Sequence, residues 1–208
     1  MAQKDTIPQR TLSQFKSKLL GGGSRPNLFE VQVNFPNKVD LKIQKDNPNN
    51  DFNQDTFRFL CKAASLPASN IANIDVPFRG RIFKVAGDRT FENWTVTVIN
   101  DQDFGHYRAF QAWAQNIAQY GDSSGMTNPS DYMGQATVYQ LGRNVASQQG
   151  SASPATDSNI LAQYKFVDIF PTTIAAIDLS YDTTDTIEEF TVDFQVQYWY
   201  PERAGAGA

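Results

Sequence analysis

Two side chains in this sequence could take part in nucleophilic catalysis, Cys61 as a thiolate and His106 as its base, and each is the sole residue of its type. A lone histidine excludes a histidine pair or a histidine-rich metal centre within one chain, and a lone cysteine excludes an internal disulfide or a cysteine cluster. Neither carries a local sign of activation. Cys61 sits in the alternating series Phe57, Phe59, Cys61, Ala63, which reads as a core-facing strand over 56–64, and His106 falls on the outward-looking side of a helix. Asp88, Asp101 and Asp103 offer oxygen to a cation, but the spacing of a calcium loop is absent and turn capping accounts for all three. Gly21-Gly22-Gly23-Ser24 lacks the Gly-Lys-Ser/Thr ending of a phosphate loop and reads as a linker. GxSxG, HExxH and GxGxxG are likewise missing, so no catalytic, cofactor-binding or metal-ligating set is assigned.

Charge points the same way. Eighteen Lys and Arg against 22 Asp and Glu give a net charge of −4, whereas proteins that grip phosphate backbones concentrate cations on one face. The local basic run Arg79, Arg81, Lys84, Arg89 is split between two faces by strand alternation and has no aromatic platform among its members, so it reads as a solvated face or a subunit contact.

The elements that would position these residues are mostly strands. In residues 94–100, Trp94, Val96 and Val98 fall on one side of an extended chain and Thr95, Thr97 and Ile99 on the other. Gly87 and Asp88 before it suit a turn with unusual backbone angles, and Asn100, Asp101 and Asp103 after it suit a turn or a helix start. A second strand covers 28–35, with Phe29, Val31, Val33 and Phe35 on one face. Residues 70–92 read as a long hairpin or bent strand, Pro77 restricting pairing and Gly80 allowing a kink or bulge. Gln135–Arg143 forms a strand, two more follow over 160–170 and 174–181, and a last one covers 187–200. In that last strand Phe190, Val192, Phe194, Val196 and Tyr198 face the core, and Thr191, Asp193, Gln195 and Gln197 face a bore or solvent. One helix is predicted over 104–120, where Phe104, Tyr107, Phe110, Trp113, Ala114 and Ile117 recur at three and four, with Asp101 or Asp103 as cap and Gly121 at its end. Its aromatic stripe should lie on the sheet.

Length, at 208 residues, suits one domain. Residues 1–24 read as a flexible arm, with a short amphipathic stretch (Leu12, Phe15, Leu19, Leu20) ahead of the glycine hinge; 25–201 is the domain and 202–208 a flexible tail. No run approaches the ~20 apolar residues that span a bilayer, and the N-terminus lacks the apolar stretch of a signal peptide, so folding in a cytoplasm is expected. The fold class expected is mainly β, an antiparallel sandwich or open barrel with one flanking helix.

Three ordered segments carry a resemblance: RPNLFEVQV at 25–33, CKAASLPAS at 61–69 and VAGDRTFENWTVTVIND at 85–101, with weaker likeness in FQAW at 110–113 and at 190–199. They resemble the tail tube proteins of T4-type contractile phages. The residues that carry the likeness are Arg25, Pro26, Asn27, Cys61, Lys62, Leu66, Pro67, Ala86, Gly87, Asp88, Arg89, Thr90, Phe91 and Trp94. The resemblance implies a non-enzymatic virion subunit, assembled in the host cytoplasm, that forms hexameric rings whose strands join into one continuous β-barrel. Rings would stack into a hollow conduit for genome ejection, in contact with the tail sheath, baseplate and tail-terminator proteins, with DNA passing transiently and without cofactors. Loops at 37–55 and 121–134 and the arm are expected to make ring-to-ring contacts, while 37–55 and 144–159 look extended relative to shorter tube proteins.

Other readings make different demands. A baseplate tube-initiator, or the tube of a phage-like injection machine, would share the fold and differ in copy number. A carbohydrate-binding sandwich would use Tyr198, Trp199 and Tyr200 as stacking platforms, and a cysteine hydrolase would need a reactive Cys61.

Overall fold

A computed structural model describes residues 11–18, 23–39, 54–122, 124–142, 160–182 and 184–202. Leu19, Leu20, the first two hinge glycines, most of the 37–55 loop and the whole 144–159 stretch lie outside the described residues. Among the described residues the elements run in order: α1 (Leu12–Lys18), β1 (Phe29–Asn34), α2 (Gln54–Leu60), β2 (Cys61–Ala64), β3 (Ser69–Phe78), β4 (Arg81–Phe91), β5 (Trp94–Ile99), α3 (Gly105–Ile117), α4 (Pro129–Tyr132), β6 (Gly134–Leu141), β7 (Ile160–Ile174) and β8 (Glu189–Glu202).

Six strands form one antiparallel sheet in the order β1-β6-β7-β8-β5-β2, and β3 pairs with β4 as a separate ribbon. The sheet curls until its edge strands β1 and β2 approach each other, with α2 packed across the seam. The result is an open barrel rather than a two-layer sandwich. Its core face is built by alternation: Val31 and Val33 of β1, Trp94, Val96 and Val98 of β5, and Phe190, Val192, Phe194 and Val196 of β8 are all buried. Helix α3 lays Phe110 and Trp113 on that face. The Phe110 ring stands 5.8 Å from Phe194, and the Trp113 indole, 6.0 Å from the same ring, donates through Nε1 to the Tyr132 carbonyl at 2.8 Å. Ile117 packs on the same core, Tyr107 meets Phe190 edge-on, and Phe104, at the helix start, stays exposed.

Several sequence expectations need correction. Residues 54–60 are helical, not a strand, so Phe57 is buried while Phe59 is 84% exposed; one turn of helix then places Cys61 on the side of Phe57. Gly87 and Asp88 do not form a turn before β5. They lie inside β4, opposite the single residue Ala72, as a bulge that shifts the register between Ile71 and Asn73. A side chain at Gly87 would stand 3.1 Å from the Ala72 carbonyl oxygen, which explains a glycine there without any special φ. Gly80 is the turn itself: Arg79 and Gly80, at φ 45 and 83, make the primed two-residue connection that matches strand twist, and Pro77 pairs beside it with Ile82.

Further corrections fall on the helix and the last strands. Helix α3 is entered through Phe104 in a left-handed conformation (φ 55) rather than through an aspartate cap, and it leaves at Ala118, three residues before Gly121. His106 is fully buried, not outward-looking. The stretch read as two strands over 160–170 and 174–181 is one strand, β7, that runs on through Pro171 to Ile174 with a register shift between Pro171 and Thr173, the kind of irregularity at which a proline is accommodated in a strand. Residues 175–182 are then loop. Finally, the core phase of β8 ends at Val196: Tyr198 is 42% exposed, and Trp199 instead packs on Phe166 and Phe91.

Candidate functional site

The thiol and the imidazole end up as packing elements. Cys61 is buried and donates weakly to the Ala63 carbonyl within its own strand, and desolvation pushes its pKa up to about 12, the reverse of what a nucleophile requires. His106 packs edge-on against Phe57 at 5.8 Å, and burial lowers its pKa against the opposing pull of Asp101. Among the described residues no three His, Cys, Asp or Glu side chains gather as a metal site. Tyr198 and Tyr200 stack on each other at 6.3 Å, but Trp199 turns inward, so the three aromatics form no shared platform.

The surface is more informative. The β3–β4 ribbon is exposed along almost its whole length, and its two faces differ. Cross-strand pairs Ile74↔Val85, Val76↔Phe83 and Phe78↔Arg81 put five apolar side chains, with exposures from 40 to 66%, and Arg81 on one face, while Asn73, Asp75, Pro77, Ile82 and Lys84 lie on the other. Apolar side chains left this exposed on one ribbon face form the kind of surface that another molecule covers. Arg79 folds over the Phe78 ring at 5.4 Å, leaving cations at the tip.

The face of the main sheet opposite the core is polar. Thr191, Asp193 and Gln195 are half-buried there and Gln197 is exposed. Thr95 donates its hydroxyl to Asp193 at 2.6 Å, Thr97 and Thr191 hydroxyls meet at 3.4 Å, and Thr172 donates to the Asp193 carbonyl at 3.0 Å. Cross-strand hydroxyl and carboxylate pairs of this kind lock the register of β5 on β8. None of the four side chains enters the apolar core.

The residues that carry the resemblance are scaffold. Arg25 to Leu28 form a turn, closed by the Leu28 N–H donating to the Arg25 carbonyl at 3.2 Å, with Pro26 at the position where its fixed φ helps most. The Gln140 amide caps it by donating to the carbonyls of Arg25 and Leu28. Lys62 pairs with Glu189 at 2.5 Å, tying β2 to the start of β8, and Pro67 is buried while Leu66 is not. Ala86, Asp88, Arg89 and Thr90 are exposed on β4, and Phe91 meets Trp199 at the ribbon base. Asn27 is exposed in its turn. Sequence reasoning placed a hairpin or bent strand over 70–92 but did not single out its apolar row, although the alternation Ile74, Val76, Phe78 with Phe83, Val85 was there to be counted.

Comparison with known proteins agrees with this architecture. The phage tail tube protein family matches residues 24–202. The chain is 29% identical over 179 residues to the tail tube protein gp19 of Enterobacteria phage T4, covering 86% of this chain and 92% of that one. It is 23% identical over 190 residues to the tail tube protein of Serratia phage KSP90, covering 89% and 93%. Among solved structures it is similar in fold to a chain of the PVC extracellular contractile injection system sheath–tube complex, with a TM-score of 0.53 at 12% identity over 93% of this chain and 98% of that one. It is similar also to a chain of the anti-feeding prophage baseplate, with a TM-score of 0.56 at 10% identity over 86% and 95%. With its open barrel, flanking helix and matched span from the Arg25 turn to the end of β8, this chain belongs to the phage tail tube protein family.

Proposed function

We propose that this chain is a structural subunit without catalytic activity, which closes into hexameric rings that stack into a hollow tube inside a contractile sheath. The observation that carries the reading is the exposed apolar ribbon, joined to a family match that spans residues 24–202. Ring closure supplies cover for the ribbon, and partners for a sheet whose edge strands β1 and β2, among the described residues, each have a ladder on one side only. The continuous wall would turn Thr191, Asp193, Gln195 and Gln197 towards the bore. Neutral and acidic groups there release passing DNA, whereas a lysine-lined wall would hold it by counterion release.

Residues 25–201 are the tube domain in this reading, with the arm before it and the tail after it available for contacts between rings. The partners are further copies of itself, the tail sheath, the baseplate and the tail terminator, in a virion assembled in the host cytoplasm. Among the described residues no helix is long and apolar enough to cross a membrane. A baseplate tube-initiator is the second reading, favoured by the likeness to a baseplate chain; low copy number in the particle would distinguish it.

Negative-stain electron microscopy of the purified protein at increasing concentration tests the proposal. Sixfold rings and hollow filaments are expected. A particle that stays monomeric at millimolar concentration, with or without a baseplate fraction as template, refutes it.

A further inference from the structure

The only histidine of the chain stands where two helices meet over the seam of the barrel. His106, the second residue of α3, is fully buried, and its ring meets the Phe57 ring of α2 at 5.8 Å. Phe57 also meets Phe110 of α3 at 5.8 Å, and Phe110 stands 6.2 Å from Phe190 of β8. Beside Phe57, Arg58 donates to Gln32 Oε1 of β1 at 3.3 Å, and the Tyr139 hydroxyl of β6 donates to the same oxygen at 3.3 Å. Helix α2 thus holds the edge strand β1 through its side chains, while its last residue, Leu60, runs directly into the other edge strand, β2. The imidazole lies under the clasp that keeps the two edges of the sheet together.

A neutral imidazole suits this packing better than a charged one. Burying a cation among rings costs free energy unless an anion meets it. Burial lowers the histidine pKa from 6.5, and the attraction of Asp101 in the β5–α3 turn offsets only part of that. The other charges on the surrounding elements are mixed: Arg58 on α2, Arg108 on α3, Asp103 in the turn, Glu188 ahead of β8, and Lys165 and Asp168 on β7, against which α3 packs. Three of these are engaged elsewhere, Arg58 with Gln32, Arg108 with the Asp103 carbonyl, and Glu188 with the Asn100 amide. When α2 lifts, the imidazole is wetted and takes a proton below pH 6.5, whereas the packed ring stays neutral to lower pH. The clasp is therefore at full strength above that pH, and its opening equilibrium rises by up to about tenfold for each pH unit below it.

We propose that His106 is an acid-sensitive latch, whose protonation releases α2 from the seam between β1 and β2 and thereby dissociates the rings reversibly. The dissociation rests on the ring reading, in which both edge strands take partners; the latch inside the subunit does not.

A single histidine makes the test unambiguous, because histidine is the side chain that ordinarily titrates between about pH 7 and pH 5. In the full chain, deuterium exchange at the His106 Cε1–H, read by mass spectrometry, reports exposure of the ring, and sedimentation velocity reports the rings. Near neutrality the exchange should be slower than in an unfolded peptide of the same sequence, and on acidification it should approach the peptide's rate as rings give way to protomers. Return to neutral pH should restore both. His106→Phe, which keeps an aromatic ring and removes the titration, should hold its rings to at least about one pH unit lower, a tenfold gain in proton tolerance. The latch is overturned if the rings of the unaltered chain persist at about pH 5, if His106→Phe dissociates at the same pH as its parent, or if the histidine exchanges like the peptide inside intact rings. A chain that forms no rings near neutrality refutes the ring reading instead. The latch is then judged on protomers, where the urea midpoint of the parent should drop relative to that of His106→Phe on acidification, and parallel midpoints overturn it.

Discussion

Phe57 and Phe59 stand two residues apart, and a strand would bury both while the helix α2 buries one. The Phe57 ring is fully buried, edge-on to His106 and to Phe110, each at 5.8 Å, whereas Phe59 is 84% exposed. Truncating Phe57 to alanine removes a buried ring and leaves a cavity between α2 and α3, a change that costs about 3–5 kcal/mol. In a domain of this size each kcal/mol moves the midpoint by roughly 2–4 °C, so Tm should fall by about 6–20 °C. Phe59→Ala removes a side chain with little packing and should stay within about 0.5 kcal/mol of the parent. Urea unfolding, followed by circular dichroism and by the fluorescence of the buried Trp94 and Trp113, measures both, and it should be run below the concentration at which the protein assembles. Equal losses from the two variants, or a Phe57→Ala cost under 1 kcal/mol, would refute the placement of α2 and with it the account of how Cys61 reaches the core.

Three further outcomes are expected. Because the folded Cys61 pKa is raised from 9.0 to about 12, the unfolded chain loses its thiol proton first, so stability is full below pH 9.0 and falls as pH rises towards 12. Cys61→Ala should flatten that part of the stability profile, and at neutral pH a thiol reagent should label the parent only after unfolding. Gly134→Ala should cost about 1–3 kcal/mol in chemical denaturation, because its new methyl group would sit 2.7 Å from the Asn34 carbonyl oxygen and 2.8 Å from the Trp113 ring; a neutral result would show that β6 and α3 can part. Gln195→Lys with Gln197→Lys should make assembled tubes retain DNA in low salt and release it as salt rises, measured by co-sedimentation, and no gain in retention would remove these two residues from the bore.

Much of the site was legible because strand alternation is local. The burial of Trp94, Val96 and Val98 and of Phe190, Val192, Phe194 and Val196 follows from a period of two read directly off the residues, and the polar row from Thr191 to Gln197 follows as its complement. The α3 stripe of Phe110, Trp113 and Ile117 was equally plain, since three-and-four spacing leaves no other regular structure. Short ambiguous runs failed instead. Phe57, Phe59, Cys61 and Ala63 alternate as well as any strand, yet residues 54–60 take a helical turn because α2 must cross the seam between β1 and β2, a requirement written in no local pattern.

What the amino-acid order settled without help was the one-sided burial of β1, β5, β8 and α3, because alternation and three-and-four spacing depend on neighbours a few residues away; the exchange of turn and bulge between Gly80 and Gly87 was not settled by it. Which face His106 turns to, how β7 runs unbroken through Pro171, and where the ribbon lies were decided only by tertiary structure. Those depend on distant strands meeting in register: Phe194 opposite Trp94 and Pro171, and Glu189 opposite Ile99, set the two ends of the barrel, and sequence spacing alone does not carry that pairing.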